Sequence, residues 1–136
     1  MPITLADVEA ELARQPVEAR GGYTDRDSLL YAVAVGMGRD PMDRNELEYV
    51  CETQGQKVLP SAATVLSRAQ RAGGGGGPGM SAKLNYALLL HGEQRLTLHQ
   101  PIPRAAETLV SSRTTGVYDK GEGRGALVTN ETEVKL

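Results

Sequence analysis

The stretch from Tyr23 to Gly38 reads Y-T-D-R-D-S-L-L-Y-A-V-A-V-G-M-G, opening on a helix-start signal and closing on glycines. Thr24 stands at an N-cap position with Asp27 three residues on, the spacing of a capping box, in which each side chain satisfies a backbone N–H of the other. Leu29, Leu30, Val33, Ala34 and Met37 then recur at helical spacing, and the helix is expected to end near Gly36 or Gly38. Tyr31, Ala32 and Val35 put apolar groups on other faces, so the pattern predicts a helix buried on several sides. Asp25, Arg26 and Asp27 form a charge cluster whose expected work is capping and dipole complementation rather than chemistry.

On the N-terminal side, Thr4 and Asp7 repeat the capping spacing before Leu5, Val8 and Leu12, a short first helix bounded by Pro16. Gly21 and Gly22 are expected to break the chain. On the C-terminal side, a polar turn at residues 40–45 leads into Leu47 to Glu52, which is strand-like or helical. Pro60 then opens a third helix, with Ala62, Val65, Leu66 and Ala69 on one side and its end near Arg71, because proline in a first turn sacrifices no needed hydrogen bond. Gly73 to Gly79 reads as a flexible surface loop. It lacks the Lys-Ser/Thr ending of a phosphate-binding loop.

From Lys83 the period changes from helical to alternating: Leu84, Tyr86, Leu88 and Leu90, then Leu96 and Leu98, then Thr108 to Tyr118, then Ala126 to Val134. Turns are expected at His91–Gly92, Pro101 to Pro103 and Asp119 to Gly123. Helices first and strands after predict an α+β domain over residues 1–136, with helices packed on one face of a largely antiparallel sheet.

The 136 residues fit one core, and with no Phe or Trp that core is aliphatic, helped by tyrosines. A net charge of −2 without a basic run argues against nucleic acid as a partner. Cys51 is the sole cysteine, so neither an internal disulfide nor a cysteine-based zinc site is available, and Cys51 itself is expected to be a small buried residue. Residues 1–15 lack the basic-then-apolar order of a secretory signal, and the most apolar stretch, Leu29 to Gly38, is about half of the roughly 20 residues that span a bilayer. A cytoplasmic location without a membrane partner is the expectation.

Several blocks together resemble a known family: Tyr23 to Gly38 as quoted above, E-L-E-Y-V-C-E at Glu46 to Glu52, L-P-S-A-A-T-V-L at Leu59 to Leu66, L-L-H-G-E-Q-R-L-T-L-H-Q-P-I-P at Leu89 to Pro103, and Y-D-K-G-E-G-R-G at Tyr118 to Gly125. In order and at matching spacing, they resemble the N-terminal module of MaoC-like (R)-specific, or type-2, enoyl-CoA hydratases, as in peroxisomal multifunctional enzymes. The resemblance implies a hot-dog fold, an antiparallel sheet wrapped around a central helix. It also implies one more strand after the segment ending at Leu136, so truncation at the last strand is expected. In that family the first module accommodates the acyl tail of an enoyl thioester of coenzyme A. The second module carries the coenzyme A site and a catalytic Asp/His pair in a G-D-x-N-P-x-H pattern. No such pattern occurs here: Asp40 is followed by Pro41 and Met42, and neither His91 nor His99 has that context.

No residue is therefore expected to be catalytic, and no cofactor or metal is implied. The expected acyl-CoA-binding surface comprises Leu29, Val33, Val65, Leu66, Leu88, His91 and Gly92, with the strand from Leu84 to Leu90 alongside. The expected partner is a second hot-dog module, or another copy of this chain. Two rival readings stay open: a non-catalytic hot-dog interaction subunit, and a stand-alone thioesterase or dehydratase. The latter would use Glu52 or the His91–Glu93 pair, which on a strand would share a face. A structural hydrogen-bond network is favoured for H-G-E-Q, and pairing with Arg or backbone donors is favoured for Glu52.

Overall fold

The computed structural model describes residues 3–52, 55–66 and 83–136. Along them run α1 (Leu5–Leu12), β1 (Val17–Tyr23), α2 (Asp25–Ala34), α3 (Arg44–Val50), a 3-10 turn at Pro60–Ala62 continuing into α4 (Ala63–Leu66), a 3-10 turn at Tyr86–Leu88, β2 (Ala106–Asp119) and β3 (Ala126–Lys135). The strands form one sheet in the order β1-β2-β3. The chain divides into two compact units. One holds the described residues of Met1–Ala19, Arg71–Glu93 and Val110–Lys135; the other holds those of Arg20–Gln70 and Gln94–Leu109, with Leu136.

In the first unit, α1 begins on the expected capping box: Thr4 N–H donates to Asp7 Oδ2 at 2.8 Å, and Asp7 N–H donates to Thr4 Oγ1 at 3.3 Å. Lys83 Nζ donates to both Asp7 oxygens, at 2.8 and 2.7 Å. The Lys83 hydrogen bond first, and the Thr4 contacts after it, hold the Asp7 carboxyl well below the usual carboxylate range. Polar contacts dominate here, since α1 buries none of its residues and Leu5 is 73% exposed. The other part of this unit is an antiparallel hairpin of β2 and β3. Arg113 Nη2 pairs with Glu131 Oε2 at 2.6 Å, and the Thr115 hydroxyl donates to Thr129 Oγ1 at 3.1 Å. Its turn closes through Lys120 N–H donating to the Gly125 carbonyl at 3.0 Å, with Gly121 at φ +95°, a conformation L side chains rarely adopt.

In the second unit, Thr24 and Asp27 build the same capping box at the start of α2. Tyr23, Ala62 and Leu66 form the buried cluster, and Tyr31, Val58, Ile102 and Ala106 pack against it. Polar ties hold this core in place. The Tyr23 hydroxyl donates to the Pro103 carbonyl at 2.8 Å, the Ser28 hydroxyl to the Arg104 carbonyl at 2.8 Å, and the Tyr31 hydroxyl to Ser61 Oγ at 3.0 Å. Burial raises the pKa of the Tyr23 hydroxyl. Asp43 caps α3 by accepting from Asn45 N–H at 2.9 Å. Glu46 accepts from the N–H groups of Gly38 and Arg39 at 2.8 and 3.2 Å, which fastens α3 to the end of the α2 turn.

Several expectations require correction. Gly21 and Gly22 do not break the chain but lie in β1, so a strand precedes α2 and the helices do not all come first. Gly22 is needed for close approach: a Cβ there would lie 2.8 Å from the Ala106 carbonyl oxygen across the sheet. The segment Leu84 to Leu98 forms no strand; it makes one 3-10 turn and is otherwise irregular, with Leu90 90% exposed. Alternating apolar residues become a strand only when their backbone groups join a ladder, and no strand is formed along these residues. The α2 helix is not buried on several sides. Ser28 and Ala32 are buried, whereas Leu30, Val33 and Val35 are each 52% exposed, because among the described residues nothing covers those faces. Leu47 to Glu52 resolves mainly as helix, and Cys51 is half-buried rather than buried. The continuation of the third helix to Arg71 and the Gly73 to Gly79 loop lie outside the described residues.

Candidate functional site

Leu29 and Val33 stand four residues apart on α2, on one helix face: Leu29 is half-buried and Val33 is open to solvent. On α4, Val65 is 49% exposed while its neighbour Leu66 is turned into the core with Tyr23 and Ala62. These four belong to the second unit. Leu88, His91 and Gly92 belong to the first, where all three are exposed, Leu88 at 77%. Each group is thus assembled within its own unit, and Leu66 contributes to the core rather than to an open surface.

His91 and Glu93 lie on exposed, irregular chain and not on a strand, so the same-face geometry expected of alternate strand residues does not apply to them. Glu52 is exposed beyond the end of α3 and has no hydrogen-bond or ion-pair partner among the described residues, contrary to the pairing expected of it. No group of three or more His, Cys, Asp or Glu side chains that could hold a metal occurs among the described residues. Nor is any helix among them long and apolar enough to cross a membrane.

The second unit also contains a cavity of about 490 Å3 that sequence reasoning did not find. Val58, Leu98, Ile102 and Pro103 supply apolar wall, and Gln56, Lys57 and Arg104 supply polar groups. Gln56 is 6% exposed; its Nε2 donates to the Asp25 carbonyl at 3.0 Å, and its Oε1 is buried without a hydrogen-bond partner. Lys57 is joined to Glu48, whose hydrogen bond raises the lysine pKa. The sequence signal for this cavity was faint: prolines at Pro60, Pro101 and Pro103 mark bends, but nothing in a loop glutamine announces that it will be buried. In the first unit, a more polar groove of about 530 Å3 lies between Leu12 to Pro16 and Arg113 to Thr115.

Comparison with known proteins decides the family. The profile of the MFE-2 hydratase 2 N-terminal domain matches residues 22–135. The chain belongs to that family. Among its relatives is a 3-hydroxyacyl-thioester dehydratase Y of Mycobacterium tuberculosis, 38% identical over 112 residues, which cover 78% of this chain and 34% of that protein. A peroxisomal enoyl-CoA hydratase 2 of Arabidopsis thaliana is 34% identical over 125 residues, covering 89% of this chain and 39% of that protein. The mouse peroxisomal multifunctional enzyme type 2 is 34% identical over 105 residues, 74% of this chain and 14% of the enzyme. This hydratase 2 N-terminal domain therefore spans well under half the length of each. A crystal structure of a MaoC-like dehydratase from Phytophthora Capsici superposes with a TM-score of 0.73 over 93% of this chain and 43% of that one, at 23% identity. The fold is accordingly the hot-dog fold of that MaoC-like dehydratase, with an antiparallel sheet in the order β1-β2-β3.

Proposed function

We propose that this chain is the acyl-thioester-binding half of an (R)-specific 2-enoyl-CoA hydratase and that the reacting groups come from another module. The observation that carries the reading is the family match over residues 22–135, taken with a sequence in which G-D-x-N-P-x-H does not occur. Adding water across a 2-trans-enoyl thioester needs a group to activate water, a group to deliver a proton to the α carbon, and donors for the enolate-like oxygen. His91, Glu93 and Glu52 stand exposed, without the enclosed geometry that such work demands.

In this reading of a single N-terminal hot-dog domain over residues 1–136, Leu29, Val33 and Val65 in one unit, and Leu88, His91 and Gly92 in the other, offer positions to the acyl-CoA, while Leu66 supports its unit from the core. The partner is a second hot-dog module, or a second copy of the chain, and the protein works in the cytoplasm. A second reading, a pure interaction subunit, is favoured by the exposed apolar side chains of Leu30 and Val33, three residues apart on α2.

The test is to assay hydration of crotonyl-CoA and a longer enoyl-CoA by the chain alone and after co-expression with a module carrying G-D-x-N-P-x-H. The expected result is turnover by the pair and almost none by the chain alone, because each missing acid–base group is worth about 10²–10⁴-fold. Turnover by the chain alone, abolished by His91→Ala or Glu93→Ala with folding retained, overturns the reading in favour of a stand-alone hydratase, thioesterase or dehydratase. Inactivity in both arms favours the interaction subunit.

A further inference from the structure

Within the first unit, α1 is held through its acidic side chains rather than its apolar ones. Asp7 and Glu11, four residues apart and so on one face of the helix, have side chains only 20% and 13% exposed, whereas Leu5 and Leu12 stand open to solvent. Val8 alone among the apolar residues of α1 is half-buried. The strand that α1 touches offers it a polar face. Ser112 and Thr114, alternate residues of β2 and so on one side of the sheet, hydrogen-bond across to Thr132 and Asn130 of β3 at 3.1 Å each. The Thr114 hydroxyl also lies 3.2 Å from Glu11 Oε1, but its single proton is shared between Glu11 and Asn130, so this tie is weak. The firm tie is Lys83, whose Nζ donates to both Asp7 oxygens, and that pair keeps some contact with solvent at both ends. Past Glu11, the polar groove of about 530 Å3 lies between Leu12 to Pro16 and Arg113 to Thr115.

We propose that α1 is a salt-sensitive strap: Lys83 latches it to its unit at low ionic strength, and screening of the Lys83–Asp7 pair releases it about a hinge at residues 13–16, baring the hydroxyl-lined face of Ser112, Thr114 and Thr132. The distance over which a partly exposed pair is felt shrinks from about 30 Å at 0.01 M salt to about 3 Å at 1 M. With the pair screened, little apolar contact remains to keep α1 in place, because Leu5 and Leu12 are already exposed. A helix of 8 residues is shorter than the roughly 12–15 that an isolated helix needs in water, so α1 melts as it leaves. The strap is independent of the hydratase reading, since α1 precedes the residues 22–135 that match the family and holds none of the positions offered to the acyl-CoA.

Amide hydrogen exchange of the 136-residue chain, followed residue by residue by NMR in low and in about 1 M sodium chloride and corrected for intrinsic exchange in the same salt, tests this. The amides of Val8 to Ala13 are expected to exchange about fivefold faster in high salt, while those of β2 and β3 change by less than about twofold. The Thr114 and Asn130 resonances should shift along with the loss of protection, which fraying of a helix that stayed docked would not cause. Lys83→Gln should show the fast exchange already in low salt and lose the salt response, and Lys83→Arg should restore both. If Lys83→Gln does not fold, the salt series on the unaltered chain decides. Protection of α1 that is independent of salt, or exchange that rises equally in α1, β2 and β3, would overturn the proposal.

Discussion

Tyr23 to Ala34 and Leu84 to Leu98 both mix tyrosine, alanine and leucine with polar residues, yet one became an ordered element beside a core and the other became exposed, irregular chain. Tyr23 is buried and its hydroxyl is hydrogen-bonded to Pro103, Thr24 caps α2, and Ser28 and Ala32 are buried. Leu88, Leu89 and Leu90 are 77%, 58% and 90% exposed, and their one regular feature is a turn capped by Asn85. A helix supplies its own backbone hydrogen bonds once its first turn is capped, so it can form before it is covered. A strand cannot, because its backbone partners lie on another segment. Apolar content alone therefore decides neither burial nor secondary structure.

The contrast is sharpest at Leu66 and Leu90. Leu66→Asp places an unpaired charge in the cluster with Tyr23 and Ala62, and should cost several kcal/mol, a large part of the total stability of a small domain. A cooperative urea transition close to that of the unaltered chain would show that the cluster is not the stabilising centre of its unit.

Thr24→Ala removes the α2 cap and should cost about 1 kcal/mol in urea titrations. It also carries a pH signature. The Thr24 backbone N–H and then its hydroxyl hold the Asp27 carboxyl below its ordinary value of 3.8. A depressed native pKa contributes stability above the unfolded value and loses it as pH falls through the native one. The unaltered chain should therefore lose more stability than Thr24→Ala on acidification below about pH 4. Because the Thr24 backbone N–H, the larger cause, remains in Thr24→Ala, the difference between the two profiles reports the hydroxyl's share, and parallel profiles would mean that the hydroxyl contributes nothing to it.

Tyr23→Phe deletes the hydrogen bond to Pro103 and is expected to cost about 0.5–1.5 kcal/mol. Burial raises the Tyr23 pKa above its ordinary 10.0, so the stability linked to the neutral phenol is complete below pH 10 and falls as pH climbs through the raised value. The difference in stability between the two proteins should accordingly shrink in alkali. A difference that widened above pH 10 would contradict the buried, neutral phenol.

Leu90→Asp should change stability by less than about 0.5 kcal/mol, since a side chain 90% exposed loses almost no contact. A cost approaching that of Leu66→Asp would mean that Leu84 to Leu98 is covered in solution, and the two regions would no longer differ.

What the sequence determined by itself was whatever is settled within a few residues. Thr4 with Asp7 and Thr24 with Asp27 formed the capping boxes their spacing predicted, and the turn near Asp119 to Gly123 joined β2 to β3. The blocks from Tyr23 to Gly125 were enough to name the family, and the match over residues 22–135 agrees. Only the tertiary structure decided matters that depend on what lies across from a residue. It made Gly22 part of a strand because the Ala106 carbonyl passes too close for a side chain, left Leu30 and Val33 open on α2, turned Leu66 inward, and buried a loop glutamine beside a cavity. Capping is local chemistry between residues three apart, whereas burial and strand pairing are set by segments distant in sequence, which no local pattern specifies.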